Sequence, residues 1–167
     1  MAEQFLTLMA DLDEESQHLM SEWYDKLKDA GFDGVQTHGL PFHISIASYK
    51  VEKEQEAIEL VKKVAEDFKK INVYISHIGV FPGGKVLFGA PDMSDELMSL
   101  QKASLMKDSI EEFVWTPHST MIIDEPHVVA RALPIFAESF HPFYGKIVRL
   151  HLCAFWPTRE ILTIDLV

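Results

Sequence analysis

The order of the predicted strands and helices repeats along the chain, and this repeat constrains the fold more than any other feature. Alternating and helically spaced apolar residues predict strand, helix, strand, helix, strand, and the same order begins again at about Lys85. No linker is long enough to separate two independent domains, so we predict one α+β domain over residues 1–167. The predicted strands are 5–10, 42–48, 72–81, 85–89, 117–123, 146–156 and 160–167, and the predicted helices are 11–30, 52–70, 92–107 and 126–139.

Composition is that of an ordinary globular domain and limits the partners. Hydrophobic residues make up 47% of the chain and charged residues 25%, which is enough apolar side chain for a core and excludes disorder as the main state. Fifteen Lys and Arg stand against 26 Asp and Glu, for a net charge of −11. Because nucleic-acid binding draws mainly on cations at phosphates, this charge argues against a protein that wraps long DNA or RNA. A small anionic ligand held by a few local donors remains open.

The cysteine count and the N-terminal residues indicate the compartment. Cys153 is the only cysteine, which excludes a disulfide framework, a zinc ribbon and a Cys-x-x-Cys pair, and the reducing cytoplasm is the default. The first apolar run carries no basic region and is broken by Asp11, unlike a signal peptide. No stretch approaches the roughly 18 consecutive apolar residues of a membrane span. We therefore expect a cytoplasmic protein with no membrane partner; the oligomeric state is not determined by the sequence.

Two related strings occupy the third element of each half. PFHISI contains His43 and Ser45, and PHSTM contains His118 and Thr120. Because side chains alternate along a strand with a period of two, the histidine and the hydroxyl of each string lie on one face. Each strand then offers an imidazole that titrates near neutrality and a hydroxyl that donates to an oxyanion. If the halves pack about a pseudo-twofold axis, both pairs surround one tetrahedral group.

Such a constellation suits a phosphodiester. One neutral histidine would take a proton from the attacking water or hydroxyl, while the other, protonated, would donate a proton to the leaving oxygen. The hydroxyls would hold the phosphate oxygens as charge builds, and neither a metal nor a cofactor is needed. One such string is expected by chance in a chain with eight histidines. The conjunction is more specific, because both strings follow a proline, lie on predicted strands and occupy the same position in the repeat.

The two strings resemble the hallmark of the 2H phosphoesterase superfamily, specifically its bacterial 2′-5′ RNA ligase-like and cyclic phosphodiesterase branch. That family carries one His-x-[Ser/Thr] motif in each lobe of its fold, and the resemblance extends over almost the whole chain. It implies a bilobal, pseudo-twofold α+β fold in which each lobe is an antiparallel sheet flanked by helices around a central cleft. It also implies that His43 and His118 are the acid–base pair and that Ser45 and Thr120 bind the substrate phosphate. Ser119 stands where the family usually has an apolar residue.

The charge of −11, unlike that of a protein that grips tRNA, favours a small substrate. We expect hydrolysis of a nucleoside 2′,3′-cyclic phosphate or a related RNA end. The alternatives are a ligase or phosphodiesterase acting on 2′-5′ linkages in RNA, and a non-catalytic module that senses a nucleotide or phosphate. A zinc site is disfavoured, because only His38 lies close to His43 in sequence and no carboxylate stands in a ligand pattern with them. The sequence does not determine which catalytic histidine is the acid.

Other residues are weaker candidates for contact with the ligand. Lys85 and Arg159 lie beside turns and would meet a second phosphate, although exposed turn cations are the default. Arg149 and His151 share a strand face that would form a pocket rim or an exposed sheet face. Aromatic residues are candidates for stacking on a base, with packing in the core as the default. These aromatic residues are Phe81, Phe88, Trp115, Phe155 and Trp156.

Overall fold

A computed structural model describes residues 2–34 and 39–167, and its elements follow the predicted order. The order strand, helix, strand, helix, strand occurs twice, and a final strand completes a hairpin. Part of the loop predicted around Gly34 to Pro41, residues 35–38 with His38, lies outside the described residues. The strands are β1 (Phe5–Leu12), β2 (His43–Tyr49), β3 (Ile71–Val80), β4 (Val86–Pro91), β5 (Ser119–Ile123), β6 (Phe143–Phe155) and β7 (Arg159–Asp165). The helices are α1 (Glu14–Asp29), α2 (Glu54–Asp67, after a 3₁₀ turn at Val51–Lys53), α3 (Asp95–Ala103) and α4 (Pro126–Ser139).

Side-chain hydrogen bonds explain where two helices differ from their predicted bounds. Helix α1 begins later than predicted, because the Asp13 side chain accepts a hydrogen bond from the backbone N–H of Ser16 and caps the helix. Helix α3 ends at Ala103 rather than continuing to residue 107. There the Ser104 hydroxyl donates to the Leu100 carbonyl, and the Tyr49 hydroxyl of β2 donates to the Ser104 carbonyl, both at 2.7 Å. A tertiary contact therefore sets the end of α3.

All seven strands form one antiparallel sheet in the order β2-β1-β6-β3-β4-β5, with β7 also paired to β6. Strand β6 is 13 residues long and runs through both lobes of the sheet. The first lobe contains β1, β2 and β7, and the second contains β3, β4 and β5. The first part of β6, residues 143–147, pairs with β3, and its remainder pairs with β1 and β7. Strands β2 and β5 stand at opposite ends of the strand order, yet they approach each other. The sheet therefore curves so that its two outer strands, which carry the two motifs, meet.

The first lobe has one face toward the helices and one toward the cleft. Leu6, Leu8 and Ala10 of β1 are buried in the main hydrophobic core. The alternate residues Thr7, Met9 and Asp11 point to the other face.

None of the helices in the described part of the chain combines the length and apolarity needed to cross a membrane.

A β-bulge interrupts each motif strand directly after its hydroxyl residue. In β2, Leu8 pairs with Ala47 and Met9 with Ser45, which leaves Ile46 without a partner. In β5, Leu87 pairs with Ile122 and Phe88 with Thr120, which leaves Met121 without one. The bulge in β2 shifts the alternation by one residue, so Ala47 packs in the core with its partner Leu8 and does not share the face of His43 and Ser45. The partly exposed residue there is Ser48, which pairs with Thr7.

Candidate active site

The structure places the two residues of each motif on one side of their chain segment. His43 and Ser45 are half-buried on β2, and Ile44 between them is fully buried. His118, immediately before β5, and Thr120 within it are also half-buried, and Ser119 between them is fully buried. Ser119 thus occupies a core position, which is where the resemblance expects an apolar side chain.

Backbone carbonyls hold both imidazole rings in the same way. The Nδ1 atom of His43 lies 2.8 Å from the carbonyl oxygen of Pro41, and the Nδ1 atom of His118 lies 2.8 Å from that of Thr116. Because a carbonyl oxygen only accepts, Nδ1 carries a proton in each ring and donates it. In the neutral ring the Nε2 atom is then left with its lone pair. Both histidines are therefore set to take or release a proton at Nε2.

A connecting segment, residues 104–117 between α3 and β5, joins the two motifs along the edge of β2. The indole Nε1 of Trp115 donates to the Ser45 carbonyl at 2.9 Å, and the backbone N–H of Ile110 donates to the Ser48 carbonyl at 2.8 Å. These bonds satisfy backbone acceptors of an outer strand and hold the second motif beside the first.

Two cavities adjoin the motif residues, and Ser45 lies in the wall of both. The large cavity has a volume of about 660 Å³ and includes Ser45, Phe81, Trp115 and His118 in its lining. The small cavity, of about 130 Å³, includes His43 and Ser45. Thr120 lines neither of them. Ser45 is thus the motif hydroxyl that both cavities share.

Burial lowers the pKa of both motif histidines, but their remaining surroundings differ. For His43 the hydrogen bond to Pro41 and the charge of Asp11 oppose this effect, whereas His151 and His118 add to it. For His118 only the hydrogen bond to Thr116 opposes the lowering of the pKa by burial. Both rings therefore favour the neutral form at neutral pH.

Aromatic side chains surround His118 and the small cavity. The Phe81 ring stands edge-on to the His118 imidazole with centroids 4.6 Å apart, and the Phe88 ring lies at 5.2 Å. Phe155 and Trp156 line the small cavity. All five aromatic residues considered in the sequence therefore border the motif residues, including Trp115 through its bond to Ser45.

The cations considered in the sequence are each paired with a carboxylate. Lys85 lies 3.4 Å from Glu125, Arg149 lies 2.7 Å from Asp165, and Arg159 contacts Glu3 and Glu54, both at 2.6 Å.

The sequence-based expectation that His151 lies on a pocket rim or an exposed face is wrong. Its side chain is buried between the carboxylates of Asp11 and Glu160.

Asp11 is a residue of this face that the sequence analysis missed. It is buried and stands opposite His43 in the β1–β2 register. The alternation of Thr7, Met9 and Asp11 within an apolar strand is the signal that could have identified it.

Residues 2–34 and 39–167 contain no cluster of three or more His, Cys, Asp or Glu side chains that could hold a metal ion.

Comparison with known proteins gives matches in structure alone. No family model matches the chain, and no curated protein matches it. The structure of E. coli LigT complexed with 3′-AMP covers 99% of both chains with a TM-score of 0.66 and 16% identity. A structure described as a phosphoesterase covers 99% of both chains with a TM-score of 0.64 and 16% identity. The structure of E. coli LigT complexed with ATP also covers 99% of both chains, with a TM-score of 0.63 and 16% identity.

Proposed function

Because the chain has the mixed α+β fold of LigT and other 2H phosphoesterases, we propose that it is a metal-independent phosphoesterase. It opens 2′,3′-cyclic phosphodiesters of nucleotides or RNA ends, with His43 and His118 as the acid–base pair. One observation carries the proposal. Two histidines from different halves are oriented by equivalent backbone hydrogen bonds at 2.8 Å, and each has a hydroxyl residue two positions later.

The proposed reaction needs one neutral and one protonated histidine. The Nε2 atom of the neutral ring takes a proton from water as the water oxygen bonds to phosphorus. The bond from phosphorus to one ribose oxygen breaks, and the protonated ring donates its proton to that oxygen. The product is a nucleoside 2′- or 3′-monophosphate. Ser45 and Thr120 donate hydrogen bonds to the non-bridging phosphate oxygens, which carry more charge in the transition state.

The two cavities provide room for the substrate on either side of Ser45. A volume of about 660 Å³ is within the usual range for small-molecule sites, and the walls of the large cavity are mainly apolar. We place the nucleoside there, with its cyclic phosphate toward His118 and Ser45. The LigT structures complexed with 3′-AMP, ATP, phosphate and NADP⁺ support a nucleotide or phosphate ligand in this fold.

Hydrolysis of the four nucleoside 2′,3′-cyclic phosphates in EDTA tests the proposal. We expect turnover by the wild type and a loss of about 10²-fold to 10⁴-fold in both His43→Ala and His118→Ala. His77→Ala is the matched control, because His77 is 57% exposed on β3 and lines neither cavity. The product isomer identifies the leaving oxygen.

Three results would contradict the proposal in different ways. If the folded protein binds these nucleotides but does not hydrolyse them, it is the non-catalytic sensing module named as an alternative in the sequence analysis. Turnover of 2′-5′-linked oligonucleotides alone identifies the RNA-directed alternative. Activity that disappears in EDTA and returns with a metal excludes the metal-independent mechanism.

A further inference from the structure

Asp11 is buried directly beside His43. Strand β1 lies between β2 and β6, and Asp11 is the register partner of His43 on one side and of Arg149 on the other. Its side chain is on the cleft face of the sheet, where only 2% of the residue is exposed. A carboxylate at such a position loses most of its hydration, so a compensating charge is required to keep it ionised.

His151 supplies that compensating charge. It is only 3% exposed, and its Nδ1 atom lies 3.4 Å from a carboxylate oxygen of Asp11, which is an ion-pair contact without hydrogen-bond geometry. On its other side, Nε2 lies 3.1 Å from Glu160 of β7. The carboxylate of Asp11 raises the pKa of His151 far above its usual value. His151 is therefore protonated and pairs with Asp11, whereas the guanidinium of Arg149 pairs with Asp165.

Among the described residues, this arrangement has no counterpart behind the second motif. His118 is surrounded by the rings of Phe81 and Phe88, and no carboxylate contributes to the shift of its pKa. A buried ion pair is a weak source of stability, because desolvation cancels much of the attraction between the charges. Because stability alone does not explain the pair, and because it lies next to a motif histidine, we look for its effect on that histidine.

We propose that Asp11 is a positioning residue for His43, which lies opposite it in the β1–β2 register: the carboxylate, paired with His151, stabilises the protonated imidazole. Three charged or titratable groups act on His43 from the elements packed around it: Asp11 from β1, His151 from β6 and His118 from the second half. Of these, only Asp11 favours a proton on the ring. The Asp11–His151 pair thus makes the two motif histidines different from each other.

The inference rests on the proposed function for one readout only, the pH–rate profile. Asp11→Asn keeps the shape of the side chain and removes its charge. The pKa of His43 then falls further, so the limb of the profile that reports His43 moves to lower pH by roughly one unit. The limb that reports His118 stays in place. Which limb moves also assigns the acid or base role of His43.

An NMR titration of the His43 ring measures the same effect without any substrate. The matched control is Asp165→Asn, the same change on the carboxylate that pairs with Arg149, two strands further from His43 than Asp11. Strands are about 4.8 Å apart, so its charge is roughly 10 Å more distant than that of Asp11. We expect Asp11→Asn to lower the titration midpoint of His43 and Asp165→Asn to leave it unchanged.

The outcomes separate this inference from the proposed function. An unchanged His43 midpoint in folded Asp11→Asn, or an equal shift of both limbs, overturns the inference. A lowered midpoint in a protein that turns over no cyclic phosphate supports the inference and overturns the proposed function. If Asp11→Asn does not fold, the double variant Asp11→Asn with His151→Gln replaces both charges. Because Asp11 affects His43 more than His151 does, the double variant should shift the midpoint in the same direction by less, and an unchanged midpoint there also overturns the inference.

Discussion

The two halves of the molecule present the same motif with the same backbone support but in different electrostatic surroundings. His43 and His118 each donate from Nδ1 to the carbonyl two residues earlier, at the same distance of 2.8 Å. Behind His43 lie the charges of Asp11 and His151, and beside His118 lie aromatic rings. The repeated backbone thus fixes the tautomer, while the neighbours set the proton affinity. In the proposed mechanism, this difference gives two identical side chains separate roles.

The bulges show a second common device. Ile46 follows Ser45 and Met121 follows Thr120, and each is the unpaired residue of its strand. A bulge increases the local twist and re-aims the side chains next to it. In both halves it follows the hydroxyl residue of the motif, and the next two residues of the strand are buried in the core.

The first prediction breaks the symmetry between the two hydroxyls. Ser45 lies in the walls of both cavities, whereas Thr120 lines neither. Loss of a hydrogen-bond donor to a developing oxyanion costs most where the donor is closest to the reacting group. We expect Ser45→Ala to lower kcat/KM by about 10²-fold and Thr120→Val to lower it by about tenfold. Steady-state kinetics with a nucleoside 2′,3′-cyclic phosphate provides the measurement.

The control for these hydroxyl variants is Thr163→Val, because Thr163 is an exposed residue of β7 and lines neither cavity. It should retain wild-type kcat/KM. Equal losses in Ser45→Ala and Thr120→Val would show that the two halves contribute alike. A larger loss in Thr120→Val would reverse the assignment of Ser45 as the central donor.

Much of the fold and of the candidate site follows from local sequence patterns. The apolar spacing predicts every strand and helix in the correct order, and the period of two correctly places the residues of each motif on one face. The end of α3 does not follow from local pattern, because the bond from Tyr49 to Ser104 comes from a distant strand. The bulge at Ile46 depends on the register with β1, which no local pattern encodes. The burial of Asp11 beside His151 depends on the pairing of β1 with β6, elements separated by most of the chain.

The second prediction uses the common feature of the two histidines. Burial lowers the pKa of both below the usual value of 6.5, so the free protein at pH 7 holds mostly neutral rings. The proposed reaction needs one proton on the pair, and the singly protonated form gains population as the pH falls. We expect a bell-shaped profile of kcat/KM with its maximum below about pH 6.5 and a loss of roughly tenfold by about pH 8.

Measurement of kcat/KM in buffers of constant ionic strength tests this profile. Replacing His77 with Ala should not move the curve, because that ring is exposed and lines neither cavity. A maximum above neutrality would mean that the charge of Asp11 outweighs burial at His43. A profile with a single limb would exclude two titrating histidines.

The third prediction concerns the negative charge that the large cavity presents to a substrate. The large cavity carries Glu111 and Glu112, and no Lys or Arg is among its lining residues in the described chain. A second phosphate on the nucleoside therefore meets repulsion with no cation to offset it. We expect a 5′-phosphorylated nucleoside 2′,3′-cyclic phosphate to show a KM about 3-fold to 10-fold higher than its unphosphorylated form, with the difference falling as salt screens the charges.

The ratio of the two KM values isolates the charges in the cavity from other effects on binding. The double change of Glu111→Gln and Glu112→Gln should bring this ratio close to one. The same change at Glu14 and Glu15, an adjacent pair in the first turn of α1, should leave the ratio high because that pair lines neither cavity. A lower KM for the 5′-phosphorylated substrate would place the nucleoside outside the large cavity, because only a site with an unpaired cation rewards the extra phosphate.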